Sequence, residues 1–297
     1  HIVQRSGENF KKFMFSFMDQ NGSELCLRPD LTIASCLRYL ENNLRGKEKI
    51  FYNGQAYRKS PNKKDSIIRD QIGFEIIGSK DEKNDDKEII TTSLKSLQNL
   101  KYSSGTLTIG NVEIFNLLIS KLDIPTRWKL RLSRHFWREE YFNDLLKRLE
   151  TNSDVDPTIV EIDKKRYFKM LNEDLSKVIA GRSINEILKR FDNKIRDPRG
   201  ARKGENVSKI IKEFLKIKCP INKAANELNK FFKKNKINLL VDQKYFPTSE
   251  NKISKLNVVF SASFGRQLEY YTGMVFKIDI KSNSKNINII NGGRYDK

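Results

Sequence analysis

Apolar positions along the chain come first in short runs and then in long stretches of helical period. Phe13-Met14-Phe15-Ser16-Phe17 is followed by Asp19-Gln20-Asn21-Gly22 and then by Glu24-Leu25-Cys26-Leu27-Arg28. An apolar run, a cluster of turn residues and a second alternating run predict a β-hairpin. Arg28-Pro29-Asp30-Leu31-Thr32 then opens a helix through Ile33, Leu37, Arg38 and Leu40, with Pro and Asp suited to its first turn. Two more strands are predicted at 50–58 and 72–78, joined by a polar loop over 59–66. Consecutive strands with short polar connections favour antiparallel pairing.

From about residue 111 to 250 the period changes. Val112, Phe115, Leu118, Ile119 and Leu122 recur at helical spacing, and Trp128, Leu132, Phe136 and Trp137 continue it after Pro125. Ser183-Ile184-Asn185-Glu186 has the form of a capping box. Ile210, Phe214 and Leu215, then Ala224, Leu228, Phe231 and Phe232, predict two further amphipathic helices. Arg196 to Gly204, rich in glycine and charge, is expected to be an exposed loop. Strand patterns return at 256–260, 274–278 and 287–290. The expected architecture is α+β: an antiparallel sheet flanked by helices, with residues 1–110 and 251–297 forming one discontinuous core domain and 111–250 a helical insertion. No internal repeat interrupts this pattern.

Composition narrows the class. The 297 residues are 38% hydrophobic and 10% aromatic, which suits a globular chain with a sizeable core. No run approaches the roughly 20 apolar residues that span a bilayer. The first residues lack the basic start, apolar middle and cleavage site of a secretory signal. The expected compartment is therefore the cytoplasm, and a start at His1 leads us to expect truncation at both ends. Cys26, Cys36 and Cys219 fall in no metal-ligand spacing and are expected to be reduced structural thiols, with no metal and no cofactor. The net charge of +20 comes mainly from lysines spread along the chain and not from clustered arginines among aromatics. Nucleic acid is thus not the expected partner. The mixed-sign run from Lys80 to Glu88 suits a solvated turn or helix start.

Phosphate-binding glycine loops and the GxSxG nucleophile elbow are absent from the sequence. His135, on a predicted helix, suits packing better than catalysis, and no catalytic residue is expected. What remains is a series of polar clusters at strand ends. Asp30 and Thr32 follow the first hairpin, and Arg58 ends a strand. Gln71 and Glu75 lie four apart, hence on one sheet face. Arg266, Tyr270 and Tyr271 fall in a turn, and Tyr295 lies in Gly292-Gly293-Arg294-Tyr295-Asp296. Each is weak alone. Together they offer carboxylates for an ammonium, an arginine for a carboxylate, and an amide and phenols for a polar ring, which is the inventory that holds a zwitterionic amino acid.

The order R-S-G-E, L-R-P-D-L-T, Y-R, Q-I-G-F-E-I-I-G, G-R-Q-L-E-Y-Y-T-G-M-V-F and G-G-R-Y-D resembles the class II histidyl-tRNA synthetase family over essentially the whole chain. That family contains the histidyl enzymes and a paralogous branch, the regulatory subunits of ATP phosphoribosyltransferase. The resemblance implies a class II synthetase-like fold. It implies that Asp30 meets a histidine ammonium group with Thr32 beside it, that Gln71 and Glu75 face histidine, and that Arg266 approaches its carboxylate. Tyr271 and Tyr295 would line the imidazole pocket, supported by Tyr270. Arg58 would occupy the place of the arginine that grips ATP phosphate in a synthetase.

Three departures point to the paralogous branch. Asp30-Leu31 replaces the synthetase Glu-Gly. Arg58 is followed by Lys59-Ser60, without the synthetase glutamate, and the loop before Gln71 is rewritten, so groups that position ATP are missing. The segments 181–187 and 264–271 are similar to those of regulatory subunits. The resemblance thus implies a non-catalytic regulatory subunit with a vestigial ATP site at Arg58. Its partners would be a short-form ATP phosphoribosyltransferase catalytic subunit, L-histidine as feedback effector, and a second copy in a homodimeric core. A truncated histidyl-tRNA synthetase and a basic RNA-binding module are the alternatives.

Overall fold

The structure is a computed structural model that describes residues 13–42, 44–60, 66–102, 104–151, 165–174, 177–179, 182–195, 201–247, 255–265, 270–282 and 285–296. It divides into two compact units. One comprises His1–Ile114, Lys218–Glu227 and Val241–Lys297, and the other Phe115–Ile217 and Leu228–Leu240.

The first unit begins with the expected hairpin, β1 (Ser16–Met18) and β2 (Glu24–Cys26), in which Phe17 pairs with Leu25. Its turn follows from Asp19, whose carboxylate accepts the Asn21 and Ser23 N–H groups at 2.8 Å each, and from Gly22 at φ +77. Helix α1 (Thr32–Glu41) follows, and then a long antiparallel pair, β3 (Glu48–Tyr57) and β4 (Ile68–Ile77). Helix α2 (Glu82–Asn99) starts where the mixed charge run predicts, capped by Asp81, whose carboxylate accepts the Asn84 N–H.

A five-stranded sheet completes this unit in the order β11 (Lys285–Gly293), β10 (Met274–Ser282), β5 (Ser104–Asn111), β9 (Lys255–Ser261), β8 (Lys218–Pro220). Three of its pairings are antiparallel, but β5 and β9 run parallel, so the sheet is mixed and not purely antiparallel as expected. A parallel pair requires a long crossover, and residues 112–254 supply it. Helix α2 packs Ile90, Leu94 and Leu97 onto Leu107 and Ile109 of β5 and Met274, Phe276 and Ile278 of β10. Burying such side chains yields about 1.5–3 kcal/mol each, so this contact fixes α2 on the sheet.

The second unit is mostly helical, with one short antiparallel strand pair, β6 (Val178–Ile179) and β7 (Arg182–Ser183). It contains most of α3 (Val112–Lys121), then α4 (Thr126–His135), α5 (Glu139–Thr151), α6 (Ile184–Ile195), α7 (Ala201–Leu215) and the latter part of α8 (Ala224–Lys234). Its core is aromatic: Phe115 stacks on Phe136 at 3.8 Å and meets Phe142 and Phe214 at 5.8 and 6.3 Å. The capping box is reciprocal, with the Ser183 N–H donating to the Glu186 carboxylate at 3.1 Å and the Glu186 N–H to Ser183 Oγ at 3.3 Å. One expectation needs correction. Of the expected loop over 196–204, residues 196–200 lie outside the described residues, and 201–204 open α7, because the buried Gly204 lets the helix approach α5, where an added Cβ would lie 1.9 Å from the Leu149 carbonyl oxygen. Glycine marks close packing here, not a break.

Candidate functional site

The strand pair β3–β4 sorts its residues by alternation. Tyr52 pairs with Gly73, Gly54 with Gln71 and Ile50 with Glu75, so these six lie on one face. A Cβ on Gly73 would fall 1.9 Å from the Tyr52 ring, so only glycine lets that phenol lie across the strand to reach Glu75. Tyr52 then donates to Glu75 Oε1 at 3.0 Å, and Tyr295, just beyond β11, donates to Oε2 at 2.6 Å. Thr32 Oγ1 is 2.9 Å from the Tyr52 hydroxyl. One turn further along α1, Cys36 donates its thiol to the Tyr295 oxygen at 3.5 Å. Glu75 is therefore the hub of four elements.

Burial sets the electrostatics of this hub. Desolvation pushes the Glu75 carboxyl above its ordinary range, while hydrogen bonds from Tyr295, Tyr52 and Thr32 hold it down. The phenols shift upward, chiefly by burial and then by nearby charge or a neighbouring phenol: Tyr295, Tyr52 and Tyr270 all rise, and Tyr271 reaches about 12. Near neutral pH they are protonated donors facing a carboxylate.

A second acid stands next to the hub. Asp30 is buried, its Oδ1 accepting the Ile33 N–H at 3.3 Å in the first turn of α1. Arg58 Nη2 lies 3.8 Å from its Oδ2, and Arg58 Nε donates to the Pro29 carbonyl at 2.5 Å. Burial lowers the Arg58 guanidinium and Asp30 opposes that shift. Gln71 accepts the Leu31 N–H at 3.2 Å, so Arg58 and Gln71 together hold the Pro29-Asp30-Leu31 turn.

The third wall is aromatic. Tyr270 meets Tyr271 at 4.7 Å and Tyr295 edge-on at 5.8 Å, and Tyr271 lies over Gly293, where a Cβ would approach its ring to 2.7 Å. Asp30, Thr32, Arg58, Gln71, Glu75, Tyr270, Tyr271 and Tyr295 thus surround one polar site. Arg266 lies outside the described residues. The sequence does not point to Tyr52, whose partner Gly73 only the strand register reveals, and Cys36, read there as a structural thiol, stands one helical turn after Thr32 on the same helix face. The arrangement offers two carboxylates to a cation and several phenols to a polar ring. Among the described residues no group of three or more His, Cys, Asp or Glu is placed to hold a metal ion. His135 packs edge-on against Tyr141 at 4.7 Å, and burial and then Arg138, Arg134 and Arg131 lower its pKa.

Comparison with known proteins fits this geometry. The chain is 27% identical, over its full length and 82% of the relative, to a protein of Brucella anthropi named ATP phosphoribosyltransferase regulatory subunit. Among solved structures it is similar to a regulatory subunit/histidyl-tRNA synthetase from Bacillus halodurans, with TM-score 0.50 and 20% identity over 96% of this chain. The chain spans 62% of that protein's length. A histidine–tRNA ligase subunit from Alicyclobacillus acidocaldarius shares the fold at TM-score 0.50 and 18% identity, over 99% of this chain and 76% of the other. At such identities the two structures speak for the fold alone. The sequence model of the histidyl-tRNA synthetase family extends over residues 2–297, so the chain belongs to that family.

Proposed function

We propose that the chain is the non-catalytic regulatory subunit of a two-component ATP phosphoribosyltransferase, a glycosyltransferase complex that begins histidine biosynthesis. In this reading it activates a short-form catalytic subunit and conveys feedback inhibition by L-histidine, working in the cytoplasm. Histidine occupies the synthetase-derived pocket: its ammonium group meets Asp30 and Thr32, its imidazole meets Glu75 and the tyrosine wall, and its carboxylate is met by Arg266. Among the described residues no helix is long and apolar enough to cross a membrane.

The observation that carries this reading is the environment of Arg58. Its Nε is committed to the Pro29 carbonyl, and Nη2 lies against Asp30. An arginine drawn inward to brace the amino-acid side of the pocket is poorly placed to grip a triphosphate, while Glu75 and its hydroxyl donors remain suited to a cationic, hydrogen-bonding ligand. The name shared by relatives aligned along the full chain supports the same reading.

The site would regulate by a coupling free energy between histidine occupancy and the state of the assembly, about 1–3 kcal/mol in such systems. A homodimeric core fits the exposed apolar face of β3–β4, where Phe51 and Ile72 are 68% and 69% exposed. The test is reconstitution. Purified chain mixed with a short-form catalytic subunit is expected to form a complex by sedimentation, raise its turnover, and make it sensitive to histidine. Failure to associate or to alter histidine sensitivity overturns the proposal, and histidine-dependent ATP–pyrophosphate exchange would favour the synthetase reading instead.

A further inference from the structure

Outside the pocket, a cluster of acids lies on α2 of the first unit. Its first turns carry Glu82, Asp85, Asp86 and Glu88, and these acids reach in two directions. Toward the pocket hairpin, Lys47 meets Asp85 at 2.5 Å and Lys49 meets Glu88, which ties α2 to the start of β3. Toward the last strand, Arg294 Nη1 meets Glu82, while Nη2 lies 3.5 Å from Asp86 and 4.0 Å from Glu113. Asp86 is buried; desolvation and the nearby Asp296, Asp85 and Glu113 push its carboxyl up to about 7, and Arg294 is the cation that meets it.

Arg294 is fixed from its backbone as well. Its N–H donates to the Met274 carbonyl at 2.8 Å, and its carbonyl accepts the Thr272 N–H at 2.9 Å. Its guanidinium lies over Gly273, where an added Cβ would come within 2.6 Å. The next two residues diverge from it. Tyr295 reaches to Glu75 and Cys36, and Asp296 accepts from Thr272 Oγ1 at 2.7 Å. Successive side chains of an extended segment point to opposite sides, so a rigid Arg294 fixes the direction of Tyr295.

We propose that Arg294 is the positioning residue of the pocket: clamped to Glu82 and Asp86, it aims the Tyr295 hydroxyl at Glu75, with α2 as the brace between the Tyr52 wall and the Tyr295 wall. The β3–β4 pair and the five-stranded sheet share no strand pairing among the described residues, so their alignment depends on side chains such as these. The part of the proposal that concerns ligand affinity rests on the histidine reading, and the part that concerns Tyr295 does not.

The test uses the full chain labelled with fluorotyrosine, with Tyr295→Phe identifying the Tyr295 fluorine resonance. Arg294→Gln is expected to move and broaden that resonance while the resonances of the other tyrosines keep their dispersion, and Arg294→Lys to restore it in part. An unmoved Tyr295 resonance in Arg294→Gln overturns the proposal. Should Arg294→Gln unfold the chain, the double variant Glu82→Ala/Asp86→Ala decides, since it opens the clamp from the helix side and must move the same line. For affinity, Arg294→Gln is expected to weaken L-histidine binding about tenfold in the wild-type background and by less than about twofold once Tyr295 is Phe, because residues acting through one group are not additive. Full additivity overturns the mechanism. A wild-type chain that binds no histidine sinks the proposed function, while the fluorine measurement still decides the role of Arg294.

Discussion

Glu75 concentrates the chemistry of the site in one carboxylate, and its titration makes a prediction that needs no ligand. Burial raises its folded pKa above the ordinary 4.5. In the window between 4.5 and that higher value the folded chain keeps a proton that the unfolded chain has released, so stability falls as pH rises across it. Glu75→Gln removes the group, and thermal unfolding followed between about pH 4 and about pH 7 is expected to show a flatter profile than wild type. A variant with the same slope as wild type would refute the assignment of this slope to Glu75. Under the proposed histidine reading, the same substitution is expected to abolish or strongly weaken histidine binding by calorimetry, since it removes the charge proposed to meet the imidazole. Gly73→Ala tests the geometry and not the charge. The added methyl collides with the Tyr52 ring, so the phenol must leave Glu75. If Gly73→Ala binds histidine as well as wild type, Tyr52 is not part of the pocket.

Elements, more than single residues, show what can be read from a chain and what cannot. The first hairpin, the capping box and the aromatic helices were all legible, because each depends on contacts within a few residues: Asp19 with Asn21 and Ser23, or Ser183 with Glu186. The start of α1 was legible only in part: Pro29 and Asp30 were expected in its first turn, but the helix begins at Thr32 with Leu31 at its N-cap. The shared face of Gln71 and Glu75 followed from strand alternation alone. The parallel β5–β9 pair was not legible, since it joins segments about 150 residues apart and depends on which edge of the sheet accepts the returning chain. Nor was the α5–α7 approach, because Gly204 resembles a loop residue until its neighbour Leu149 is known. The acids of α2 looked like a solvated face for the same reason, their partners Lys47, Lys49 and Arg294 being distant in sequence. Two substitutions check these elements by denaturant unfolding. Ser183→Ala removes one arm of the capping box and is expected to cost about 1 kcal/mol. Gly204→Ala forces α7 away from α5 and is expected to cost about 2 kcal/mol. A neutral Gly204→Ala would mean that the helices move apart freely.

At the scale of the whole molecule the two faces of β3–β4 divide the work. The face carrying Tyr52, Gln71, Gly73 and Glu75 closes on the polar site, and the opposite face carries Phe51, Asn53, Ile72 and Phe74. Phe51 and Ile72 are exposed on that face. Large apolar side chains left exposed on one sheet face suit a contact with another protein. A second copy of the chain is the occupant expected of a homodimeric core, and a two-fold contact buries the same patch on both partners. Such an interface would couple assembly to ligand directly, because a change at Glu75 acts on the strand whose other face is the contact. Sedimentation at several concentrations is expected to show a dimer for wild type and a shift toward monomer for Phe51→Asp/Ile72→Asp. Because both side chains point away from the polar site, the monomeric variant is expected to retain its fold by circular dichroism and, if the pocket lies within one chain, its histidine binding. A variant that stays dimeric would place the interface elsewhere. One that becomes monomeric and also loses histidine would show that the pocket depends on the second copy.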